Sequence, residues 1–292
     1  MKKKILITGA SGFLGVNLIS KLSRLNNYDI YGLIKKKTKK ENLRKNVKYI
    51  YADIYQTKKK IDINFDFVIN FAGNINHKNK TETFNAHYSG LKNLFKILIP
   101  EKKRLFIQIG SSLEYGKKTS PQKESLVCKP ISYYGTAKLL ATKLIQKKLS
   151  RYLVLRPYQI YGPYQKKNRL IPIIIDSCLK NKSFACSDGK QFRDFLYVED
   201  FSELILKILK SKKIKNGIYN VGSGKAYKVK DIINFIRRKI KKGNPIFGKI
   251  KMREEEMKYT YPEIKKVKVA YRWKPKVNIN KGLKKTIQFY AK

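Results

Sequence analysis

A glycine-rich turn near the N-terminus constrains the fold of this chain more than any other feature. Residues 5–7 are a short apolar run, and glycines follow at three-residue spacing at Gly9, Gly12 and Gly15. An amphipathic leucine pattern begins at Leu14, so the turn joins a predicted strand to a predicted helix. Glycines let backbone approach phosphate oxygens, and the free N–H groups at a helix N-terminus favour negative charge. The turn predicts a dinucleotide pyrophosphate site, although an ordinary strand–helix turn can share its spacing.

Apolar runs and amphipathic stretches alternate along the first half of the chain. We predict strands at residues 5–8, 30–34, 47–51, 67–71, 104–109 and 152–156, and helices at 14–25, 83–99 and 134–149. After residue 163 we expect shorter elements, including a strand at 217–221 and a last helix at 279–290. This alternation predicts an α/β fold with a Rossmann-type, doubly wound parallel sheet. The expected domains are an NAD(P)-binding domain over 1–160 and a smaller α/β substrate domain over 161–292, with some segments returning to the sheet.

Composition argues against several classes of protein. The three cysteines are odd in number and have no metal-ligand spacing, so we expect reduced thiols, no metal site and a cytoplasmic location. No apolar stretch approaches the roughly 18 residues that a membrane span needs. Only three apolar residues separate the N-terminal lysines from Thr8, which is too short for a signal-peptide core.

The charge is extreme, because 67 lysines and arginines face only 20 acidic residues, a formal net charge of +47. Such a charge raises the hypothesis of a nucleic-acid-binding protein. The lysines are, however, scattered along the whole chain, and no zinc-finger or RNA-binding signature is present. We therefore expect a solvated basic surface that attracts polyanionic ligands and binds no specific nucleic acid.

Tyr134 and Lys138 are the strongest catalytic candidates. They lie four residues apart and therefore share one face of a predicted helix. A tyrosine phenol titrates near 10, so a nearby ammonium group is needed to favour the phenolate at neutral pH. Other Tyr/Lys pairs share this spacing, but Tyr134 follows a predicted strand end that carries Ser111. Ligands of open α/β sheets bind along that edge, where a serine can hydrogen-bond the same substrate oxygen.

Ordered motifs along nearly the whole chain resemble the extended short-chain dehydrogenase/reductase family, in particular its nucleotide-sugar epimerases, dehydratases and ketoreductases. Beyond the glycine turn and Tyr134/Lys138, the motifs are Asp53 in Ala52-Asp53-Ile54, Asn70-Phe71-Ala72-Gly73, Asn85…Gly90…Asn93, Ser111-Ser112…Tyr115-Gly116, Pro130, Leu155-Arg156-Pro157…Tyr161-Gly162-Pro163, Gly189 to Phe195 with Tyr197-Val198-Glu199-Asp200, and Trp273-Lys274-Pro275.

The resemblance implies roles for individual residues. Tyr134 is implied to be the acid/base at a sugar hydroxyl or carbonyl, Ser111 to share that oxygen, and Lys138 to hold the nicotinamide ribose. The implied contacts to the cofactor, beyond Tyr134 and Lys138, are Gly9, Ser11, Gly12, Phe13, Leu14, Gly15, Asp53, Ile54, Phe71, Ala72 and Gly73. The implied contacts to a nucleotide-diphosphate sugar are Ser112, Gln159, Arg193 and Arg253. A guanidinium suits diphosphate oxygens, although each arginine could instead form a surface ion pair.

Departures from the family pattern narrow the choice among the family's reactions. Family dehydratases carry acidic residues directly after the catalytic hydroxyl residue, whereas this chain has Ser112 and Leu113 there. Glu114 comes one position too late, and we expect its side chain to point away. A 4,6-dehydratase and a uronic-acid decarboxylase are therefore disfavoured. Gln159 stands where many members have asparagine.

The cofactor choice depends on the end of the second predicted strand. Lys35, Lys36 and Lys37 occupy it, and no carboxylate follows until Glu41. A basic residue there suits the 2′-phosphate of NADP, whereas a carboxylate suits the ribose of NAD. The cofactor is thus expected to be NAD(P), with a slight preference for NADP.

Three functions remain open. The first is a 4-ketoreductase of a nucleotide-linked 4-keto-6-deoxy sugar for surface polysaccharide, which the missing acidic residues and the lysines favour. The second is a nucleotide-sugar 4-epimerase with retained NAD, which uses the same groups. The third is a non-catalytic dinucleotide-binding protein, against which the intact Ser111, Tyr134 and Lys138 argue. The apolar faces of helices 83–99 and 134–149 also permit a homodimer.

Overall fold

The largest element of the fold is a seven-stranded sheet. The computed structural model describes residues 1–35, 38, 43–74, 79–252 and 256–292. The strands are, in chain order, β1 (Lys3–Thr8), β2 (Tyr28–Ile34), β3 (Lys48–Tyr51), β4 (Phe67–Asn70), β5 (Leu105–Ile109), β6 (Tyr152–Pro157), β7 (Gln159–Tyr161), β8 (Ser183–Ala185), β9 (Phe192–Arg193), β10 (Phe195–Tyr197), β11 (Gly217–Val221), β12 (Tyr227–Lys228), β13 (Asn244–Ile246) and β14 (Tyr259–Thr260).

The strand order of the large sheet is β11-β6-β5-β4-β1-β2-β3. The pairings that join β1 to β6 are all parallel. The order therefore reverses between β1 and β4, which is the crevice where doubly wound sheets bind ligands. The predicted Rossmann-type parallel sheet is confirmed.

The helices in the described part of the chain are α1 (Phe13–Leu22), α2 (Lys80–Phe84), α3 (Gly90–Ile97), α4 (Tyr133–Lys148), α5 (Leu170–Leu179), α6 (Val198–Lys210), α7 (Val229–Ile240), α8 (Lys265–Tyr271) and α9 (Ile279–Tyr290). The single helix predicted at 83–99 is wrong, because a π-helical segment (Asn85–Ser89) separates α2 from α3. After residue 163 the described strands are short, of two to five residues, as expected, whereas α5, α6 and α7 have 10, 13 and 12 residues.

Two compact units divide the chain. Unit 1 comprises Met1–Gly116, Val127–Pro157 and Ile205–Tyr219, and unit 2 comprises Lys117–Leu126, Tyr158–Leu204 and Asn220–Lys292. A core cluster of unit 1 packs Leu6, Val68 and Phe106 of the sheet against leucines and isoleucines of α3 and α4. A core cluster of unit 2 packs the apolar faces of α5 and α7 with Tyr161 and Leu283. The functional boundary predicted at residue 160 stays a prediction.

None of the helices within the described ranges is long and apolar enough to cross a membrane. Cys128 is half-buried, whereas Cys178 and Cys186 are buried, and all three are free thiols. Among the residues that the structure describes, no cluster of His, Cys, Asp and Glu could hold a metal ion.

Candidate functional site

The glycine turn between β1 and α1 packs against the end of β4. Gly9 has a positive φ of 63°, and a Cβ there would lie 3.0 Å from the backbone of Phe71 and Ala72. Thr8 Oγ1 donates to Asn70 Oδ1 at 2.5 Å and accepts from the Ala72 N–H at 3.1 Å. Gly12 is exposed at the N-terminus of α1, so the backbone there is accessible to a ligand. The turn thus forms the type of cradle that a dinucleotide pyrophosphate needs.

Apart from Tyr134 and Lys138, the other predicted cofactor residues lie in this turn or at the start of α1, or follow β2, β3 and β4. Asp53 and Lys35 form an ion pair of 2.9 Å between Oδ2 and Nζ. Burial raises the pKa of Asp53, but the hydrogen bonds from Lys35 and the Tyr55 N–H outweigh it and leave the pKa below its ordinary value. The structure therefore gives Lys35 a carboxylate partner. Lys36, Lys37 and Glu41 lie outside the described residues.

Ser111 begins a tight turn after β5. Its Oγ accepts a hydrogen bond from the Leu113 N–H at 3.2 Å, and its own N–H donates to Glu114 Oε1 at 2.8 Å. This reciprocal cap fixes the backbone of Ser111 and leaves its hydroxyl proton available to another acceptor. Ser112 is half-buried and Leu113 is exposed.

The Glu114 side chain points into the protein interior. It is fully buried, and its Oε2 accepts from Arg156 Nη2 at 2.7 Å and Nε at 3.0 Å. Burial alone lowers the pKa of Arg156, but Glu114 and Tyr115 hold it above its ordinary value. The carboxylate of the 110–116 segment is thus occupied by a guanidinium and is unavailable for an elimination step.

Helix α4 carries Tyr134 and Lys138 on the same face. Ser132 caps the helix by accepting from the Gly135 N–H at 3.1 Å. A Cβ on Gly135 would lie 2.4 Å from the Leu113 carbonyl oxygen, so this glycine lets the first turn of α4 approach the Ser111 turn. Lys138 Nζ donates to the Ile109 carbonyl at 2.7 Å and lies 5.7 Å from the centre of the Tyr134 ring.

Lys138 is buried, and its surroundings change the pKa of its ammonium group. Burial lowers the pKa of its ammonium group to about 8, and the Glu114 carboxylate opposes part of that shift. The structure thus brings Tyr134 and Lys138 together and ties Lys138 to the strand end that precedes Ser111. A positive charge beside a phenol favours the phenolate form, so this arrangement suits a proton-transfer role for Tyr134.

His87 is a further candidate functional residue, which the sequence analysis did not identify. It is buried in the π-helical segment, and its ring packs edge-on to the Tyr134 ring with 4.9 Å between centres. Its Nε2 lies 3.0 Å from the Asn74 carbonyl oxygen. Such π-bulges occur frequently at functional sites, but they give little sequence signal because they differ from an α-helix by one residue.

The predicted substrate residues Gln159 and Arg193 belong to unit 2. Gln159 is exposed on β7. Arg193 is buried, and its Nη1 donates to the Phe192 and Met257 carbonyls while Nη2 pairs with Glu256 at 2.9 Å. Burial lowers the pKa of Arg193, and Glu256 opposes that shift. Arg253 lies outside the described residues.

The sequence matches the model of a known family over most of its length. The model is described as "NAD dependent epimerase/dehydratase family" and matches residues 5–222. A protein of Methanocaldococcus jannaschii, named as a candidate UDP-glucose 4-epimerase, is 33% identical and covers 98% of this chain and 97% of its own length. The CDP-abequose synthase of Salmonella typhimurium is 24% identical over 99% of this chain and 98% of its own.

The fold also matches solved structures over nearly its whole length. UDP-glucuronic acid 4-epimerase from Bacillus cereus, in complex with UDP-glucuronic acid and NAD, superposes with a TM-score of 0.86 at 26% identity, covering 98% of both chains. UDP-glucose 4-epimerase from Thermus thermophilus, in complex with NAD, superposes with a TM-score of 0.83 at 19% identity, which supports the fold alone.

Proposed function

The chain belongs to the NAD dependent epimerase/dehydratase family, and from that premise we propose that it is a nucleotide-sugar 4-epimerase with retained NAD. One observation of the structure favours chemistry at C4 over dehydration, and the 33% identity to a candidate 4-epimerase favours epimerisation. Tyr134 and the buried Lys138 lie against the Ser111 turn, while Glu114, the carboxylate of that turn, is bound by Arg156. Groups for proton transfer at one oxygen are present, whereas a free carboxylate for elimination is not found in this turn. That combination suits chemistry at a single carbon rather than dehydration.

In the proposed reaction, Tyr134 removes the proton of the sugar 4-hydroxyl and later returns it to the same oxygen, after the keto sugar has turned its opposite face towards the dinucleotide. The positive charge of Lys138 favours the phenolate that this step needs. Ser111 holds the same oxygen through its hydroxyl proton, since its Oγ already accepts from Leu113. NAD, when bound, supplies reversible hydride transfer at C4. Neither step needs a further acid or base.

The residues that would hold the dinucleotide are the glycine turn, Asp53 and Lys138. The cradle at Gly9 and the exposed Gly12 fit a pyrophosphate. NAD is proposed rather than NADP because Lys35 is engaged by Asp53 at 2.9 Å, which weakens its attraction for a 2′-phosphate. The lysine run led us to expect a slight preference for NADP, whereas the two solved structures described above are complexes with NAD.

Arg193 is proposed to bind the diphosphate of the substrate. Its guanidinium is held by two backbone carbonyls, and its ion pair with Glu256 can exchange for phosphate oxygens. The relatives described above include enzymes named for UDP-sugars, so a UDP-hexose is the first substrate to test. Gln159, Ser112 and Arg253 remain predicted contacts.

A second candidate is the 4-ketoreductase, which uses the same Ser111, Tyr134 and Lys138. The similarity to CDP-abequose synthase over nearly the whole chain favours it. The order of preference follows sequence identity, which is 33% for the candidate 4-epimerase and 24% for the synthase.

A matched pair of variants tests the proposal. Tyr134→Phe removes the proposed acid/base, whereas Tyr133→Phe makes the same change at the neighbouring, exposed tyrosine. With UDP-glucose as substrate and product ratios followed by NMR, Tyr134→Phe is expected to lower kcat by at least about 100-fold. Tyr133→Phe is expected to stay within about threefold of the wild type. Equal activity of both variants would remove Tyr134 from the mechanism.

A further inference from the structure

Glu114 is a fully buried carboxylate that the proposed reaction does not use. Its Oε1 accepts from the Ser111 N–H at 2.8 Å, and its Oε2 accepts from Arg156 and from Thr142 Oγ1 at 2.9 Å. A Cβ on Gly110 would lie 2.5 Å from Oε1, so a glycine there gives the carboxylate its space. A buried carboxylate is retained only where hydrogen bonds replace its hydration, and Glu114 receives four of them, two from Arg156.

These hydrogen bonds join three elements around the proposed catalytic groups. Ser111 belongs to the turn after β5, Thr142 lies on α4 one turn after Lys138, and Arg156 is the penultimate residue of β6. Lys138 forms a second link between α4 and the strand end, through the Ile109 carbonyl. The end of β5 with the Ser111 turn is therefore connected to α4 at two points, through the Glu114 carboxylate and through the Lys138 ammonium group.

We propose that Glu114 is a positioning residue, whose carboxylate holds the Ser111 hydroxyl at a set distance from Tyr134 and Lys138 by joining the turn after β5 to α4 and β6. The inference rests on the proposed function, since Ser111, Tyr134 and Lys138 carry that reaction. Glu114 touches no reacting atom in this account. Its effect on rate follows from geometry, because displacements of about 1 Å at a reacting centre can cost about 100-fold.

The charge of Glu114 has a second effect, on Lys138. Burial lowers the pKa of Lys138 to about 8, and the negative charge of Glu114 limits that decrease. Loss of the charge should lower this pKa further, so Lys138 would lose its proton at a lower pH. Titratable and charged groups face this network from several elements. They are Glu114 and Tyr115 of the turn after β5, His87 of the π-helical segment, Cys128 of the loop before α4, Tyr134 and Lys138 of α4, and Arg156 of β6.

The first test neutralises the whole ion pair. Glu114→Gln alone would leave Arg156 buried without its partner and could unfold the protein, so it is combined with Arg156→Gln. With UDP-glucose as the probe, the double variant is expected to lower kcat by about tenfold or more, with KM within about twofold of the wild type. The readout is kcat at a pH below 8, where Lys138 keeps its proton in the wild type, because the double variant removes the positive charge of Arg156 together with the negative charge of Glu114. An unchanged kcat would overturn the proposal.

A gentler matched pair separates positioning from stability. Thr142→Val removes one hydrogen bond to Glu114, and Thr286→Val makes the same change at a buried helical threonine of unit 2 that donates to the Gly282 carbonyl. Thr142→Val should lower kcat several-fold, whereas Thr286→Val should leave it within about twofold. Equal effects of the two variants would mean that Glu114 has only a structural role.

Amide hydrogen exchange gives a readout that needs no substrate. In the Glu114→Gln/Arg156→Gln variant, peptides that cover residues 110–116 should exchange faster, because the Ser111 N–H loses a charged acceptor. Peptides that cover β1 should exchange as in the wild type. If the wild type converts no nucleotide sugar, the proposed function fails while exchange at 110–116 still decides whether Glu114 holds the turn. Unchanged exchange there would overturn the inference by itself.

Discussion

Burial of the Lys138 ammonium group is expected to reduce the stability of the fold. Its pKa falls from 10.5 to about 8 on burial. That difference corresponds to about 3 kcal/mol by which the folded protein disfavours the charged form. The hydrogen bond to Ile109 and the charge of Glu114 offset part of the burial cost. A lysine without a function would not be expected at this position.

Lys138→Met should therefore raise stability while removing activity. A methionine has similar length and carries no charge, and losing the bond to the Ile109 carbonyl returns about 1 kcal/mol of the gain. We expect the free energy of unfolding in urea at pH 7 to rise by about 1–2 kcal/mol. Because the folded pKa lies below the unfolded one, the penalty in the wild type is complete below pH 8 and disappears as pH rises towards 10.5.

The control for this prediction is Lys143→Met, the same change at an exposed position of α4. It should alter the free energy of unfolding by less than about 0.5 kcal/mol. A Lys138→Met variant that is less stable than the wild type at pH 7 would contradict the account of a costly buried charge.

At the scale of elements, the β1–α1 turn contains glycines with different roles. A Cβ on Gly15 would lie 2.5 Å from the Gly9 carbonyl oxygen and 2.6 Å from that of Ala10. The nearest atom to a Cβ on Gly12 is the Gly9 oxygen, at 3.2 Å, and Gly12 has an ordinary extended backbone with φ of −83°. Gly15 is thus required by packing of the helix on the turn, whereas Gly12 is required by the proposed approach of a ligand.

Alanine at each glycine separates these roles. Gly15→Ala should destabilise the protein by about 2 kcal/mol, because backbone atoms must move apart. Gly12→Ala should change stability by less than about 1 kcal/mol but weaken NAD binding, since its methyl group lies at the exposed helix N-terminus. Urea unfolding measures the first effect, and calorimetric titration with NAD, after bound dinucleotide has been removed from both proteins, measures the second. Gly12→Ala with wild-type affinity for NAD would argue against a pyrophosphate at this turn.

The accuracy of the sequence predictions also differs by element. The predicted strands from 5–8 to 217–221 all overlap strands of the large sheet. The buried strands β1, β4 and β5 were predictable because strands buried on both faces are continuous apolar runs. The predicted helix 279–290 matches α9. The helix predicted at 83–99 is interrupted by a π-helical segment, since its apolar spacing alone does not reveal one extra residue in a turn.

For the molecule as a whole, charge distinguishes this chain from a neutral member of its fold. With 67 basic and 20 acidic residues, most cations cannot have a carboxylate partner of their own. The resulting field attracts diphosphates and other polyanions and weakens as salt increases. Charge therefore contributes to capture of a substrate but says little about which substrate is bound.

The sequence predicts the candidate site of the whole molecule only in part. Ser111, Tyr134 and Lys138 were identifiable because their residue types and order in the chain follow a family pattern. The Glu114–Arg156 pair spans 42 residues, and the His87–Tyr134 contact joins two separate helical segments. Such contacts depend on how strands and helices pack, and no local spacing in the sequence reports them.

Retention of hydrogen at C4 tests the central claim most directly. The purified protein is incubated, without added dinucleotide, with UDP-glucose that carries deuterium at C4, and the products are examined by NMR. We expect UDP-galactose with the deuterium still at C4, because the hydride is held by bound NAD and returned to the same carbon. UDP-galactose that has lost the label, or no epimer at all, would contradict the assignment as a 4-epimerase with retained NAD.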